Sequence, residues 1–224
     1  MRPFYYALTV SAVLAAGAGC ASPTATDDTG FAEPPPAGTP WIVTGGPSPS
    51  PLRSALATPG QAPLAVTKSA GAFELAPKGT TAITYDAKVV PVGATAAVEV
   101  GMTAVGTVVV GLTVSGMIAK RAYGAHLHTQ PCTATPDDAG PHYQYQADPT
   151  KPSVDPAFAN PGNEVWLDFR ADDRGAARIS SEQKWSFNPV NPPRSLVVHA
   201  EPTRTEAGKA GTAGARVACL TLRP

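Results

Sequence analysis

The chain has 224 residues, with 17 basic and 17 acidic side chains and therefore a formal net charge of zero. This balance, without a long run of either charge, argues against a nucleic-acid-binding protein, whose surface carries a basic excess. The 21 glycines and 25 prolines disfavour a helical bundle, whereas a hydrophobic share of 43% is enough for one buried core. The composition predicts one β-rich domain with irregular flanks and no nucleic-acid partner.

The first twenty residues have the pattern of an export signal. Arg2 is followed by an apolar run at residues 7–16, too short to anchor stably in a bilayer, and by small residues before Cys20. The segment GAGC at 17–20 resembles a bacterial lipobox, although glycine stands where leucine is usual. We expect residues 1–19 to be a signal peptide and Cys20 to carry a lipid that anchors the protein on the outer face of the membrane. The alternative is cleavage near residues 18–21 and free secretion.

The rest of the chain divides into a tether and a domain. Residues 20–64 are rich in proline, glycine and serine and have no apolar periodicity, which is typical of a disordered linker. From about Ala65 onward, β-branched runs alternate with turn residues, at 82–85, 89–92, 96–100, 107–114, 165–169, 177–179 and 195–199. This spacing predicts an all-β antiparallel sandwich or barrel with long loops over residues 65–224.

Cys132 and Cys219 are the two cysteines of the predicted domain. An exported chain can retain disulfides, and with Cys20 assigned to the lipid the remaining two form an even pair. We predict a disulfide between Cys132 and Cys219. Two buried free thiols are the alternative.

All four histidines lie in the predicted domain. His126 and His128, in the segment GAHLH at 124–128, are two residues apart, so a strand places both imidazoles on one face, about 7 Å apart along the backbone. His199 ends the strand-like run RSLVVH at 194–199. Three or four neutral imidazoles suit copper or zinc, and the order of affinities favours Cu(II) where copper is present. The pair therefore indicates a metal site.

Five segments, in one order, resemble the signature blocks of copper/zinc superoxide dismutase. They are GAHLH at 124–128, Cys132, AGPHY at 139–143, RSLVVH at 194–199 and GARVAC at 214–219, and the similarity extends over about residues 80–222. The resemblance implies a Greek-key β-sandwich or flattened barrel. It also implies an enzyme that converts superoxide to O2 and hydrogen peroxide at a bound copper ion.

The resemblance also assigns roles to individual residues. The expected copper ligands are the four histidines, His126, His128, His142 and His199. In the family, the histidine matching His142 bridges copper and zinc, and it serves as a general acid by taking up and returning a proton. Arg216 matches the arginine that attracts the superoxide anion, a suitable role for a guanidinium. Cys132 and Cys219 match the family disulfide.

The chain departs from the family at the zinc site. No histidine lies between His142 and Trp166, where the family has two zinc ligands, so zinc is doubtful and a copper-only member is expected. Glu164 lies near the position of the family's aspartate ligand. We hypothesise that Glu164 accepts a hydrogen bond from His142 and orients it in place of zinc. The alternatives are other acidic residues nearby: Asp148, Asp155 and Asp168. Four aromatic residues between positions 166 and 187 are interpreted as core or edge packing: Trp166, Phe169, Trp185 and Phe187.

The sequence therefore predicts an extracytoplasmic, copper-dependent superoxide dismutase without a complete zinc site. Superoxide is the expected substrate, and the oligomeric state, monomer or homodimer, is left open. A copper-handling module with little turnover is the main alternative, because the zinc site is incomplete and the segment 200–215 is short. A sandwich that retains only the fold and serves as a surface interaction protein is a third reading, which the retention of four histidines and Arg216 disfavours.

Overall fold

A computed structural model describes residues 65–223 of the chain. The predicted signal peptide, the lipidation of Cys20 and the predicted tether over 20–64 lie outside the described residues. Within 65–223 the chain forms nine strands: β1 Ala65–Ala72, β2 Ala82–Thr84, β3 Thr95–Met102, β4 Val108–Ser115, β5 Ala122–His128, β6 Phe169–Arg170, β7 Ala177–Gln183, β8 Ser195–His199 and β9 Arg216–Thr221. A four-residue 3-10 helix spans Pro136–Ala139. None of the helical structure in this part of the chain is long and apolar enough to span a membrane.

The strands form two sheets. One sheet has the order β1-β3-β4-β7 and the other the order β2-β9-β8-β5-β6. Neighbouring strands in both sheets are antiparallel. The predicted antiparallel β-sandwich is thus confirmed. Long connections follow β5 and β8, and they supply the polar groups of the site described below.

The alternation of side chains along β5 separates the core from the site. Tyr123, Ala125 and Leu127 are fully buried in the hydrophobic core shared by the two sheets. Successive side chains of a strand point to opposite faces, so His126 and His128 lie on the other face of the five-stranded sheet. Both are fully buried, because the long connections cover that face.

A register shift between β8 and β9 brings a third histidine next to an arginine. Val198 pairs with Ala218, but His199 pairs with Arg216 because the ladder is irregular between Val198 and His199. Irregularities of this kind redirect side chains near the end of a strand. The shift makes His199 and Arg216 cross-strand neighbours.

Two of the predicted strand runs are different in the structure. Residues 89–92 form a turn, in which the backbone N–H groups of Val89 and Val90 both donate to the carbonyl of Asp86, although Val90 is fully buried. Of residues 165–169, only Phe169 belongs to a strand, and Trp166 forms an isolated bridge with His126. In the first run Val90 is buried but Val92 is exposed, whereas Val165, Leu167 and Phe169 of the second run are all buried. The strand prediction was wrong for both runs except at Phe169.

The structure contains the disulfide Cys132–Cys219, with 5.7 Å between the two Cα atoms. Its cysteines belong to a small buried cluster with Ile83, Ala139 and Val197. The bridge therefore joins the connection after β5 to the last strand, and two free thiols are not what the structure shows.

Candidate metal centre

The four histidines converge on one point. His126 and His128 come from β5, His199 from the end of β8 and His142 from the connection after β5. One ring nitrogen from each lies within 4.8 Å of the others. Among residues 65–223 this is the one group of three or more potential metal ligands so arranged. Three of the rings are buried, and the His142 side chain is 18% exposed.

Isolated backbone bridges hold the connection after β5 against the strand. His142 pairs with His128, Trp166 pairs with His126, and Gln144 pairs with Glu164, each antiparallel. The Leu127 carbonyl accepts from the backbone N–H of Tyr143 at 2.8 Å. His142 is therefore positioned by backbone pairing with β5 as well as by its side chain.

Backbone carbonyls fix the orientation of two of the rings. Nδ1 of His128 lies 2.9 Å from the carbonyl oxygen of Gly140, and Nδ1 of His199 lies 3.4 Å from that of Gly214. Since a carbonyl only accepts, each Nδ1 carries the proton and each Nε2 is left with its lone pair. Gly140 has φ +74°, and a Cβ there would lie 2.5 Å from the Thr129 hydroxyl oxygen, so glycine is required to present this carbonyl.

A carboxylate fixes the third ring. Nδ1 of His142 lies 2.7 Å from Oε2 of Glu164, which is only 1% exposed. The indole N–H of Trp166 donates to the same oxygen at 2.7 Å, and the Gln144 amide donates to Oε1 at 2.8 Å. The indole N–H and the amide N–H can only donate, so Glu164 is the acceptor in both of these hydrogen bonds. It is likewise the acceptor for His142, which donates from Nδ1. Nε2 of His142 keeps its lone pair.

The other carboxylates proposed for this role lie elsewhere. Asp148 is buried and accepts from Ser153 and the Thr150 backbone, and Asp155 is exposed and accepts from the Ala157 backbone. Asp168 is placed beside His126, 3.7 Å from its Nε2. Glu164 alone of the four candidates contacts His142 in the described part of the chain.

Three ring nitrogens in the cluster are buried and have no hydrogen-bond partner among residues 65–223: Nδ1 of His126, Nε2 of His128 and Nε2 of His199. Buried polar atoms without a partner are rare and costly in native proteins. Neutral imidazole nitrogens grouped in this way match the donor set of a copper or zinc ion. The residues present therefore fit a metal ion.

A cavity of about 730 Å³ opens beside the cluster, and His142, His199 and Arg216 are among its lining residues. Nη1 of Arg216 donates to the carbonyls of Pro136 and Asp137, at 3.1 and 3.4 Å. These contacts anchor the half-buried guanidinium at the wall of the cavity. Burial lowers the pKa of Arg216, but an arginine side chain keeps its charge in proteins. A small anion entering the cavity meets the Arg216 guanidinium next to the histidines; Lys151 also lines the cavity, and Oδ1 of Asp137 lies 3.7 Å from Nε of Arg216.

Burial favours the neutral form of three of the histidines. It lowers the pKa of His126 and His128 well below the ordinary value, and the repulsion that a proton on either ring would meet from a protonated His142 or His199 and from Arg216 acts in the same direction. Burial and then His142 lower the pKa of His199 to about 3. Neutral rings are the form that binds metal.

We expect the metal-free protein to lose stability below about pH 6.5. The pKa of His199 is near 6.5 in the unfolded chain and near 3 in the folded protein. Between these two pH values the unfolded chain binds more protons than the folded one, so the free energy of unfolding falls as the pH is lowered. For His199 alone the fall is about 1.4 kcal/mol per pH unit, or about 2 kcal/mol by pH 5, and His126 and His128 act in the same direction. Urea unfolding at pH 7.5, 6 and 5 measures the slope. His199→Gln should flatten it, and an unchanged slope would contradict the assignment.

Sequence reasoning named Glu164 as the partner of His142 but missed the other residues around the ligands. Trp166, interpreted as packing, is half-buried and contacts both Glu164 and the ring of His126, with 5.8 Å between the ring centroids. Trp185 and Phe169 do lie in the core, with Phe187 packed against it. Gln144 and Thr203 were not singled out, since nothing in the local sequence distinguishes an amide or a hydroxyl that binds a distant ligand.

The comparisons with known proteins agree with the geometry. The family model for copper/zinc superoxide dismutase (SODC) matches residues 93–221, more than half of the chain. The chain belongs to this family.

Two solved structures are similar. One is the Cu/Zn superoxide dismutase from Brucella abortus, 18% identical over 71% of this chain and 100% of that chain, with a TM-score of 0.47. The other is a double mutant of a SOD-like protein from Bacillus subtilis, 14% identical over 57% of this chain and 88% of that chain, with a TM-score of 0.44. No curated protein matches the chain.

Proposed function

We propose that the protein is an extracytoplasmic superoxide dismutase that uses copper without a complete zinc site. The observation that carries the proposal is the convergence of four imidazole nitrogens within 4.8 Å of one another, beside a cavity that also contains Arg216. The ligands would be the four histidines, His126, His128, His142 and His199. A copper ion held by these residues would supply the one-electron redox chemistry that dismutation of superoxide requires.

The cavity suits a small anionic substrate. The chain has no net charge, so attraction of superoxide depends on local charge, chiefly that of Arg216 at the wall of the cavity. The guanidinium is held by two carbonyls, which leaves it oriented before the substrate arrives. Such local attraction is expected to weaken with added salt.

His142 is the group best placed to handle the proton. It is the most exposed of the four histidines and lines the cavity, and Glu164 fixes its Nδ1–H. Nε2 of His142 would be a ligand or, whenever it is not bound to the metal, the atom that holds a proton and passes it to the peroxide product. Glu164 keeps the ring in place while this proton comes and goes.

The same contact supports a single-metal site. In the family resemblance, the far nitrogen of the bridging histidine binds zinc, but here Nδ1 of His142 is occupied by the Glu164 carboxylate. The chain has four histidines in all, each of them in the copper cluster, so no imidazole remains for zinc. We propose copper as the one metal of the site.

Export is proposed from two features. The signal-like residues 1–19, with Cys20 as a lipid attachment point, predict a lipoprotein on the outer face of the membrane or a secreted product. The disulfide Cys132–Cys219 fits an oxidising compartment. The substrate would then be superoxide outside the cytoplasm.

The test is superoxide loss by the protein, first metal-free and then with one equivalent of Cu(II), without zinc. We expect fast loss only with copper, and none in His199→Ala, which removes a ligand from β8. Arg178→Gln, on β7 of the other sheet, is the matched control and should behave like the wild type. Tight copper binding without faster superoxide loss would favour a copper-handling module, and no copper binding would overturn the proposal.

A further inference from the structure

We infer that Thr203, held by Asp168, is a positioning residue that fixes the proton of His126 on Nε2 and so leaves Nδ1 free for the metal. This inference rests on the proposed copper site and concerns its one ring whose partner is a hydroxyl. A hydroxyl can donate or accept, so the partner alone does not determine which nitrogen of His126 carries the proton.

The contacts of Thr203 determine it. Oγ1 of Thr203 lies 2.7 Å from Oδ1 of Asp168 and 2.6 Å from Nε2 of His126. The backbone N–H of Thr203 donates to Oδ2 of Asp168 at 2.7 Å, so the threonine is held by both oxygens of one carboxylate. Direct contact between Asp168 and His126 is longer, at 3.7 Å.

The direction of the hydrogen bonds follows from donor counting. An ionised carboxylate has no proton to give, so the single hydroxyl proton of Thr203 is donated to Asp168. Oγ1 then has only lone pairs to offer, and Nε2 of His126 donates to it. A neutral imidazole carries one N–H, so Nδ1 is the nitrogen with a lone pair, and Nδ1 of His126 is the buried atom without a partner.

The backbone is built to let Thr203 approach. The N–H of Gly124 donates to the Glu201 carbonyl at 2.7 Å, which brings the connection after β8 against β5. A Cβ at position 124 would lie 2.7 Å from that carbonyl oxygen and 3.2 Å from Oγ1 of Thr203. Asp168 also accepts from the backbone N–H of Ala125 at 3.2 Å, so strand, carboxylate and threonine form one unit.

The arrangement explains why His126 differs from the other rings. His128, His142 and His199 use Nδ1 for the outer hydrogen bond, whereas His126 uses Nε2. The proton positions of His128, His142 and His199 are fixed by oxygen atoms that can only accept. The proton position of His126 is fixed by the Asp168 carboxylate acting through the Thr203 hydroxyl. Hydrogen-bond partners of this kind commonly change metal affinity 10–100-fold when they are lost.

The first experiment reads the proton directly, by ¹H–¹⁵N NMR of the histidine rings in the copper-free protein. We expect Nε2–H on His126 in the wild type and in Thr203→Ser, and a mixed population of the two tautomers in Thr203→Val. Finding Nδ1–H on His126 in the wild type would overturn the inference. This measurement needs no copper, so it stands whether or not the protein dismutates superoxide.

The second experiment measures the dissociation constant for Cu(II) by competition with a chelator. Thr203→Val should bind copper about 10–100-fold more weakly, while Thr203→Ser should stay near the wild-type value. Thr205→Val, an exposed threonine in the same connection, is the matched control. Equal losses in the Val and Ser variants, or no loss in Val, would show that the hydroxyl does not position the ligand. Failure of the wild type to bind copper would instead count against the proposed function.

Discussion

Replacing Glu164 with glutamine is expected to weaken copper binding by about one to two orders of magnitude. Oε2 of Glu164 accepts from both Nδ1 of His142 and the indole of Trp166, and Oε1 accepts from Gln144. In Glu164→Gln one of the two carboxylate oxygens is replaced by an NH2 group, which donates instead of accepting. At least one of the three donors, His142, Trp166 and Gln144, must then face an N–H group in a buried site. If His142 loses its acceptor, its proton is free to move to Nε2, where it competes with the metal.

The copper dissociation constant and the rate of superoxide loss together test this expectation. Glu182→Gln is a matched control, because Glu182 is exposed on β7 of the four-stranded sheet, whereas β5 and β8, which carry three of the histidines, belong to the five-stranded sheet. We expect both quantities to be unchanged in the control and both to fall in Glu164→Gln. Wild-type copper affinity and turnover in Glu164→Gln would show that the carboxylate does not orient His142.

Removing the disulfide by the double substitution Cys132→Ser and Cys219→Ser is expected to lower the free energy of unfolding by about 4–5 kcal/mol. The bridge joins residues 87 apart in the sequence, and it restricts the unfolded chain more than a short loop would. The bridge also links the segment before the 3-10 helix to β9, the strand that carries Arg216. The carbonyls of Pro136 and Asp137 in that helix accept from Arg216.

Urea unfolding of the copper-free protein measures this effect. The wild type treated with a reductant serves as the control, since it has the same side chains without the covalent bond, and it should unfold near the midpoint of the double variant. A loss below about 1 kcal/mol in both would contradict a constraint of this size.

The strands and the direction of their side chains were predicted correctly where the alternation of apolar residues in the sequence matches the burial seen in the structure. The histidine pair at 126 and 128 lies on β5 with Leu127 in the core between them, and the run from Ser195 to His199 is a strand over that whole length. In both cases one face of the strand is apolar, so the period of two determines where the histidines point. Convergence of His142 on the same point could be stated only through the family resemblance.

The sequence predicted less where the chain leaves the sheets. Residues 89–92 are apolar because Val90 is buried, yet the backbone turns there with Asp86 as acceptor. The partners of Thr203 are 35 and 77 residues away, at Asp168 and His126, and no short pattern reports a hydrogen bond over such a distance. The ligands and the Glu164 partner of His142 could therefore be named from the sequence, whereas the hydroxyl that holds His126 could not.

Glu164 is part of the chain and is therefore never lost by dissociation. An ion that orients a ligand leaves when it is diluted or scavenged, whereas a side chain 2.7 Å from His142 has an effective concentration set by the fold alone. In an environment shared with other metal-scavenging molecules, assembly of the proposed copper-only centre would require the capture of one ion instead of two. Maturation would then depend on copper supply, on folding and on formation of the Cys132–Cys219 disulfide.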